Sequence, residues 1–138
     1  MRETVLNRKD PIAAITKLVE RCNLSSRLFF IASQMTTTPG FQQLALNCWQ
    51  NLSQFEFELK TELRRLGGLD PRPATFESML RDPATSARDC KNSVEALLGQ
   101  YEETLTATLS AHARAMINRQ VGEVRKIDED LANLDRAA

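Results

Sequence analysis

Three cysteines and one aspartate are the residues whose types could together hold a metal ion. Cys22, Cys48, Cys90 and Asp128 each fall on the apolar face of a predicted helix, and three thiolates with one carboxylate suit a soft metal such as zinc. If the chain between the second and third helices crosses the bundle, a rise of about 1.5 Å per residue places these residues roughly 9–22 Å from one end. That spread of ~13 Å in height is too wide for one ion, and no Cys-x-x-Cys spacing is present. We therefore interpret the cysteines as small core residues.

Di-metal chemistry is the best-known chemistry of four-helix bundles, and it needs histidines that this sequence lacks. Such a site takes a Glu from each of two helices and a Glu-x-x-His motif from each of the other two. The only histidine is His112, and Glu-x-x-His does not occur. The Glu-rich segment FEFELKTEL pairs Glu56 with Lys60 and Glu62 with Arg65 at helical spacing, which predicts a solvated flank. No nucleophile motif accompanies His112, so the sequence does not favour an enzyme.

Four long helices are the elements that must position these side chains. Three of them begin with an acceptor followed by proline, which suits a helix start, at Asp10-Pro11, Thr38-Pro39 and Asp82-Pro83. The predicted helices, each with an apolar stripe at steps of three and four, span residues 11–35, 39–66, 83–108 and 111–135. The connection from 67 to 82 is long enough to cross the bundle from end to end. The pattern predicts one all-α domain over residues 1–138, a ferritin-like four-helix bundle with one long crossover between helices 2 and 3.

Length and composition restrict the class of protein further. The chain has 138 residues with 18 basic and 18 acidic side chains, so no overall field draws it to nucleic acid or to an anionic membrane. Three cysteines without regular spacing predict a reducing compartment. The polar start MRETVLNRKD lacks the apolar core of a signal peptide. We expect a cytoplasmic protein that binds neither nucleic acid nor membrane.

Three helical segments resemble a bacterial ferritin-like family of small four-helix proteins whose function is largely undefined. They are LKTELRRLGG (59–68), CKNSVEALLGQYEETL (90–105) and RQVGEVRKIDEDLANL (119–134). The resemblance extends from about residue 12 onward and implies the same bundle with its long crossover. Members of that family tend to carry an acidic pair in the third helix and a histidine-acidic pair in the fourth.

The residues at those family positions depart from the expected metal ligands. They are Val94-Glu95 and Asp128-Glu129 here, and Leu24 stands where the family tends to have an Asp in helix 1. The resemblance therefore implies a diverged member whose di-metal site has been lost. Asp128 remains open to two interpretations, a leftover ligand or acid-base group, or an end-of-bundle residue paired with Arg125 or with a basic residue of a neighbouring helix. We favour the second interpretation, because a buried carboxylate needs a partner.

Residues 28 to 55 contain no Asp, Glu, Lys or Arg. This uncharged stretch covers the second half of helix 1, the hairpin turn and the first half of helix 2. Depletion of charge together with available aromatic residues is typical of the centre of a protein interface. We predict a two-fold dimer interface, and the alternative is that the crossover covers this surface. The predicted interface residues are Leu46, Trp49, Gln50, Ser53 and Phe57.

Two functions from different classes follow from these residues. The first is a non-catalytic bundle that acts by association with itself or with a protein partner and needs no cofactor. The alternative is a metal-binding or redox protein with iron, manganese or zinc at a non-standard core site. Its candidate ligands are Glu95, Asp128, Cys22, Cys48 and Cys90.

Overall fold

The computed structural model describes residues 10–72 and 87–137, with side chains up to Leu134. Within these ranges the chain forms four helices and no strand, which confirms the all-α class. The helices are α1 (Pro11–Met35), α2 (Pro39–Arg65), α3 (Ala87–Thr104) and α4 (Ala111–Ala137). No helix in the described ranges has the length and apolar character that a bilayer span requires.

Side-chain hydrogen bonds cap the starts of α1 and α4. The Asp10 carboxylate accepts a hydrogen bond from the Ile12 N–H at 3.1 Å, as its place before Pro11 predicts. Thr38 stands at the start of α2 without a side-chain capping bond. The Ser110 hydroxyl accepts a hydrogen bond from the Ala113 N–H at 3.1 Å and caps α4. The predicted start of helix 3 at Asp82-Pro83 lies outside the described residues.

Gly67 and Gly68 end α2 in a Schellman motif. The last residue of the helix is Arg65, one residue before the predicted end at Leu66. The Gly67 N–H donates to the Arg64 carbonyl and the Gly68 N–H donates to the Leu63 carbonyl, both at 2.9 Å. Gly67 has a φ of 92°, a conformation that costs little only for glycine. A Cβ on Gly68 would lie 2.5 Å from the Leu63 side chain, so this turn packs tightly onto the helix it ends.

The end of α3 differs from the prediction, because the helix stops at Thr104 rather than at 108. The Thr106 hydroxyl donates to the Glu103 carbonyl at 2.6 Å, and the Ala107 N–H donates to the Thr104 carbonyl at 3.0 Å. The Arg114 guanidinium then donates to the carbonyls of Leu105 at 2.9 Å and Ala107 at 3.2 Å. The carbonyls of Leu105 and Ala107 are thus satisfied by a side chain of α4, so α3 can end at Thr104. Helix α4, in turn, continues two residues past the predicted 135.

Each helix lies antiparallel to the helices beside it. Helix α1 packs against both α2 and α3, α4 packs against α3, and α2 and α4 have the least contact of these four neighbouring pairs. Six contacts fix these directions: Asn23–Glu56 and Phe30–Trp49 for α1 and α2, Ala14–Thr104 and Ser25–Ser93 for α1 and α3, and Lys91–Asp128 and Tyr101–Gln120 for α3 and α4. Helices α2 and α3 therefore run in the same direction.

The predicted apolar stripes form the core between the four helices. Ile15, Leu52, Val94 and Ile117 represent the four stripes, and each has no exposed surface. In α3 the steps of four from Cys90 and Val94 predict that Leu98 faces inward. The structure differs, because Leu97 is fully buried and Leu98 is only partly buried. The core therefore has mostly the apolar composition that the helical periodicity predicts, and several polar side chains, among them Gln120, are buried with it.

Candidate functional site

The two carboxylates predicted as weak metal candidates are bound by a lysine. Lys91 donates a hydrogen bond to Asp128 across α3 and α4 at 3.0 Å and forms an ion pair with Glu95 at 3.1 Å. The hydrogen bond to Asp128, and then the one to Glu95, raises the pKa of Lys91. Asp128 is thus paired with a basic residue of a neighbouring helix, as the favoured interpretation states, and the partner is Lys91 rather than Arg125. Both carboxylates are partly or fully exposed at this position.

The three cysteines are buried core residues. Cys22, Cys48 and Cys90 are each at most 1% exposed, and burial raises the pKa of each thiol to about 12. Such thiols stay protonated near neutral pH, whereas the thiolate is the nucleophile and the metal ligand. Among the described residues, no three His, Cys, Asp or Glu side chains come close enough to hold a metal ion.

A chain of polar side chains, which the sequence reasoning missed, runs from the core to the groove between α2 and α4. Tyr101 is fully buried, and its hydroxyl lies 3.5 Å from the Cys22 sulfur and donates to Gln120 Oε1 at 2.7 Å. Gln120, also fully buried, donates to Glu58 at 2.9 Å. Arg119 donates to the same Glu58 oxygen at 2.7 Å. These four bonded side chains, with Cys22, join α1, α3, α4 and α2 through one hydrogen-bond network, which is buried at Cys22, Tyr101 and Gln120 and exposed at Arg119.

Glu58 is the charged end of this network. Partial burial raises its pKa, but the hydrogen bonds from Arg119 and Gln120 outweigh burial, and the net pKa is lowered. The carboxylate therefore stays ionised in the folded protein at a pH where a free glutamate would begin to bind a proton. The sequence carried one signal for this network, since Gln120 lies three residues after the inward Ile117.

A groove of about 520 Å³ opens between α2 and α4, which have the least contact of the four neighbouring helix pairs. Phe57 borders it with 59% of its side chain exposed, an unusual exposure for a large aromatic residue. The walls are mostly apolar, and the Glu58–Arg119 ion pair supplies their charged groups. The exposed imidazole of His112 also lines the groove. The groove is lined by Phe57, Glu58, Thr61, His112, Ala115, Met116 and Arg119.

A second cavity of about 450 Å³, the α1–α2 pocket, has a different chemistry. Its carboxylate, Glu56, accepts hydrogen bonds from the Asn23 amide at 3.1 and 3.3 Å and pairs with Lys60 at 2.9 Å. The predicted Glu56–Lys60 and Glu62–Arg65 pairs are confirmed. The prediction of a solvated flank is wrong, because Glu56 and Glu62 are only 9% and 5% exposed. The α1–α2 pocket is lined by Asn23, Ser26, Arg27, Phe30, Trp49, Ser53, Glu56 and Lys60.

The five predicted interface residues lie on different sides of α2. Phe57 borders the α2–α4 groove, while Trp49 and Ser53 line the α1–α2 pocket. The Trp49 ring lies 4.9 Å from the Phe30 ring and packs against the core, so it is only partly available to a partner. Gln50 is exposed and Leu46 is partly buried. The crossover that could cover this surface lies mostly outside the described residues.

The chain matches no protein-family model and no curated protein sequence.

Proposed function

We propose that this protein is a ferritin-like four-helix bundle that acts by association, with its di-metal site lost, and that it forms a two-fold dimer through the α2–α4 groove. The observation that carries the proposal is the exposure of Phe57 beside a mostly apolar groove. Burying one phenylalanine stabilises an assembly by about 1.5–3 kcal/mol relative to leaving it in water. A two-fold axis would place the Phe57 of each protomer in the groove of the other, so that the contribution counts twice.

The charges around the groove support a second copy of the chain as the partner. The Glu58 carboxylate and the Arg119 guanidinium are already paired with each other, so burying them together leaves no net charge at the interface. The whole chain has 18 basic and 18 acidic residues, so two copies do not repel each other through their net charge. Leu46 and Gln50, which share the outward side of α2 with Phe57 in the sequence prediction, would extend the contact along the helix.

The directions of the helices support the ferritin-like part of the proposal. Helices α2 and α3 run in the same direction, although they follow each other in the chain. A connection that returned from the end of α2 to the opposite end of the bundle would be the long crossover of ferritin-like proteins. The Lys91 ion pairs with Asp128 and Glu95 support the loss of metal ligands, because the ammonium group occupies the place beside both carboxylates.

The mass of the protein in solution tests the association. Sedimentation velocity or light scattering at micromolar concentration should give a dimer for the natural chain and a monomer for Phe57→Ser. Leu69→Ser is a matched control, because Leu69 is 87% exposed after α2 and outside the groove. That variant should remain dimeric. A monomeric natural chain, or a dimeric Phe57→Ser variant, would contradict the proposal.

A further inference from the structure

We propose that the α2–α4 groove also binds small uncharged aromatic molecules that carry a hydroxyl group. The groove has a volume of about 520 Å³, within the range of small-molecule sites, and its mostly apolar walls carry a few polar side chains. Binding of such a molecule does not require a second chain. Its competition with a second chain for the groove is a further consequence, and that consequence rests on the proposed dimer.

The apolar side of the groove favours an aromatic ring. Phe57 of α2 and Met116 of α4 both line it, and Ala115 adds only a methyl group to the lining. An aromatic ring packs well against phenylalanine in offset or edge-to-face geometry, and a thioether sulfur makes favourable contacts with a ring. Phe57 is 59% exposed, so a ring that covers it removes apolar surface from water.

The charges of the groove are already paired, which favours an uncharged molecule. Arg119 donates to Glu58 at 2.7 Å, and Glu58 accepts a second hydrogen bond from Gln120 at 2.9 Å. A charged ligand would give up part of its hydration without gaining an unpaired group of opposite charge. The Tyr101 hydroxyl holds Gln120 from the other side, so this part of the groove is ordered without a ligand.

Two side chains of the lining can bind a hydroxyl group. The Thr61 hydroxyl donates to the Phe57 carbonyl at 3.0 Å, which leaves the Thr61 oxygen able to accept a hydrogen bond. A neutral imidazole has one donor and one acceptor nitrogen, and the exposed His112 ring lines the same groove. A phenolic O–H that donates to either group would orient the ring in the groove.

His112 is the only histidine of the chain, so its ring protons report on the groove in a proton NMR spectrum. We expect p-cresol to shift these signals in a saturable way at millimolar concentration and constant pH. The control molecule, p-hydroxybenzoate, carries a carboxylate in place of the methyl group and should bind at least about tenfold more weakly. No saturable shift with p-cresol, or equal affinities for the two molecules, would overturn the proposal.

Two leucine variants locate the binding site. Ala115→Leu fills the groove from an exposed position of α4 and should lower the p-cresol affinity at least about tenfold. Asn118→Leu adds the same side chain at an exposed position of α4 outside the lining and should bind as the natural chain does. Circular dichroism checks that each variant is folded, and equal affinities of the two folded variants would overturn the proposal. The comparison of p-cresol with p-hydroxybenzoate uses the natural chain alone, so it decides the proposal even if a variant does not fold.

Sedimentation velocity with and without p-cresol separates this proposal from the dimer. The fraction of monomer should rise as the His112 shift saturates, and a dimer that stays intact at saturation would overturn the competition. A monomeric natural chain with a saturable shift would contradict the dimer and support the ligand site. A dimeric natural chain without such a shift would support the dimer and contradict the ligand site.

Discussion

Removal of the Tyr101 hydroxyl should destabilise the fold mainly through its buried hydrogen bond to Gln120, with the weaker contact to the Cys22 thiol lost as well. The hydroxyl donates to Gln120 Oε1 at 2.7 Å, and both residues have no exposed surface. In Tyr101→Phe the ring still fills its place, but the Gln120 oxygen loses this donor in a site that water does not reach. A buried polar group left without its partner costs about 1–3 kcal/mol, so we expect the free energy of unfolding to fall by about that amount.

Urea denaturation followed by circular dichroism measures this loss. Thr108→Val removes an exposed hydroxyl and is the control, with an expected change within about 0.5 kcal/mol. A double-mutant cycle with Gln120→Met should give a coupling free energy of about 0.5–1.5 kcal/mol between the two side chains. If Tyr101→Phe stays within about 0.5 kcal/mol of the natural chain, the buried network does not stabilise the fold as argued.

Three further predictions concern the turn, the charged end of the network and the thiols. Gly67→Ala should lower the free energy of unfolding by about 1 kcal/mol, because Gly67 has a φ of 92°. Gly122→Ala, in the exposed interior of α4, should raise it by about 0.5–1 kcal/mol. Urea denaturation measures both changes, and changes of the same sign in the two variants would contradict the prediction. Because the pKa of Glu58 is lowered in the folded protein, its carboxylate contributes to the free energy of unfolding. That contribution is fully present above the unfolded pKa of about 4.3 and is lost as pH falls through the folded pKa. Between pH ~6 and pH ~3, the free energy of unfolding should therefore fall less in Glu58→Gln than in the natural chain. An equal fall in the two proteins would contradict this link between the Glu58 pKa and stability. The three thiols, with pKa values of about 12, should react with a thiol reagent only after denaturation, and fast labelling of the native protein at neutral pH would show that they are accessible.

Helix positions followed from the sequence because they depend on neighbouring residues. Three local features define helix ends, and each lies within a few residues of the end it defines. They are the Asp10 cap, the proline at the first position of α2 and the left-handed conformation of Gly67. The end of α3 depended on a distant group, since Arg114 binds carbonyls seven and nine residues earlier in the chain. A local reading of the residues up to 108 therefore continued the helix too far.

The candidate sites depended on packing between helices, which periodicity does not specify. Helical spacing predicts which residues of α2 face away from its apolar stripe. Whether such a residue lines the α2–α4 groove or the α1–α2 pocket depends on where α1 and α4 lie. The sequence therefore predicts one interface that contains both Phe57 and Trp49, whereas the fold places them in two different cavities. Glu56 was placed on a solvated flank because its partner Asn23 is on another helix. Gln120 was overlooked because an apolar stripe does not reveal a polar residue that finds its partners only in the folded core.

The central claim is that the protein acts by association through Phe57, and the molar mass of the natural chain in solution tests it most directly. At micromolar concentration the account predicts twice the 15.6 kDa of one chain, and it predicts a single chain mass for Phe57→Ser. A natural chain that sediments at 15.6 kDa across this range would contradict the claim.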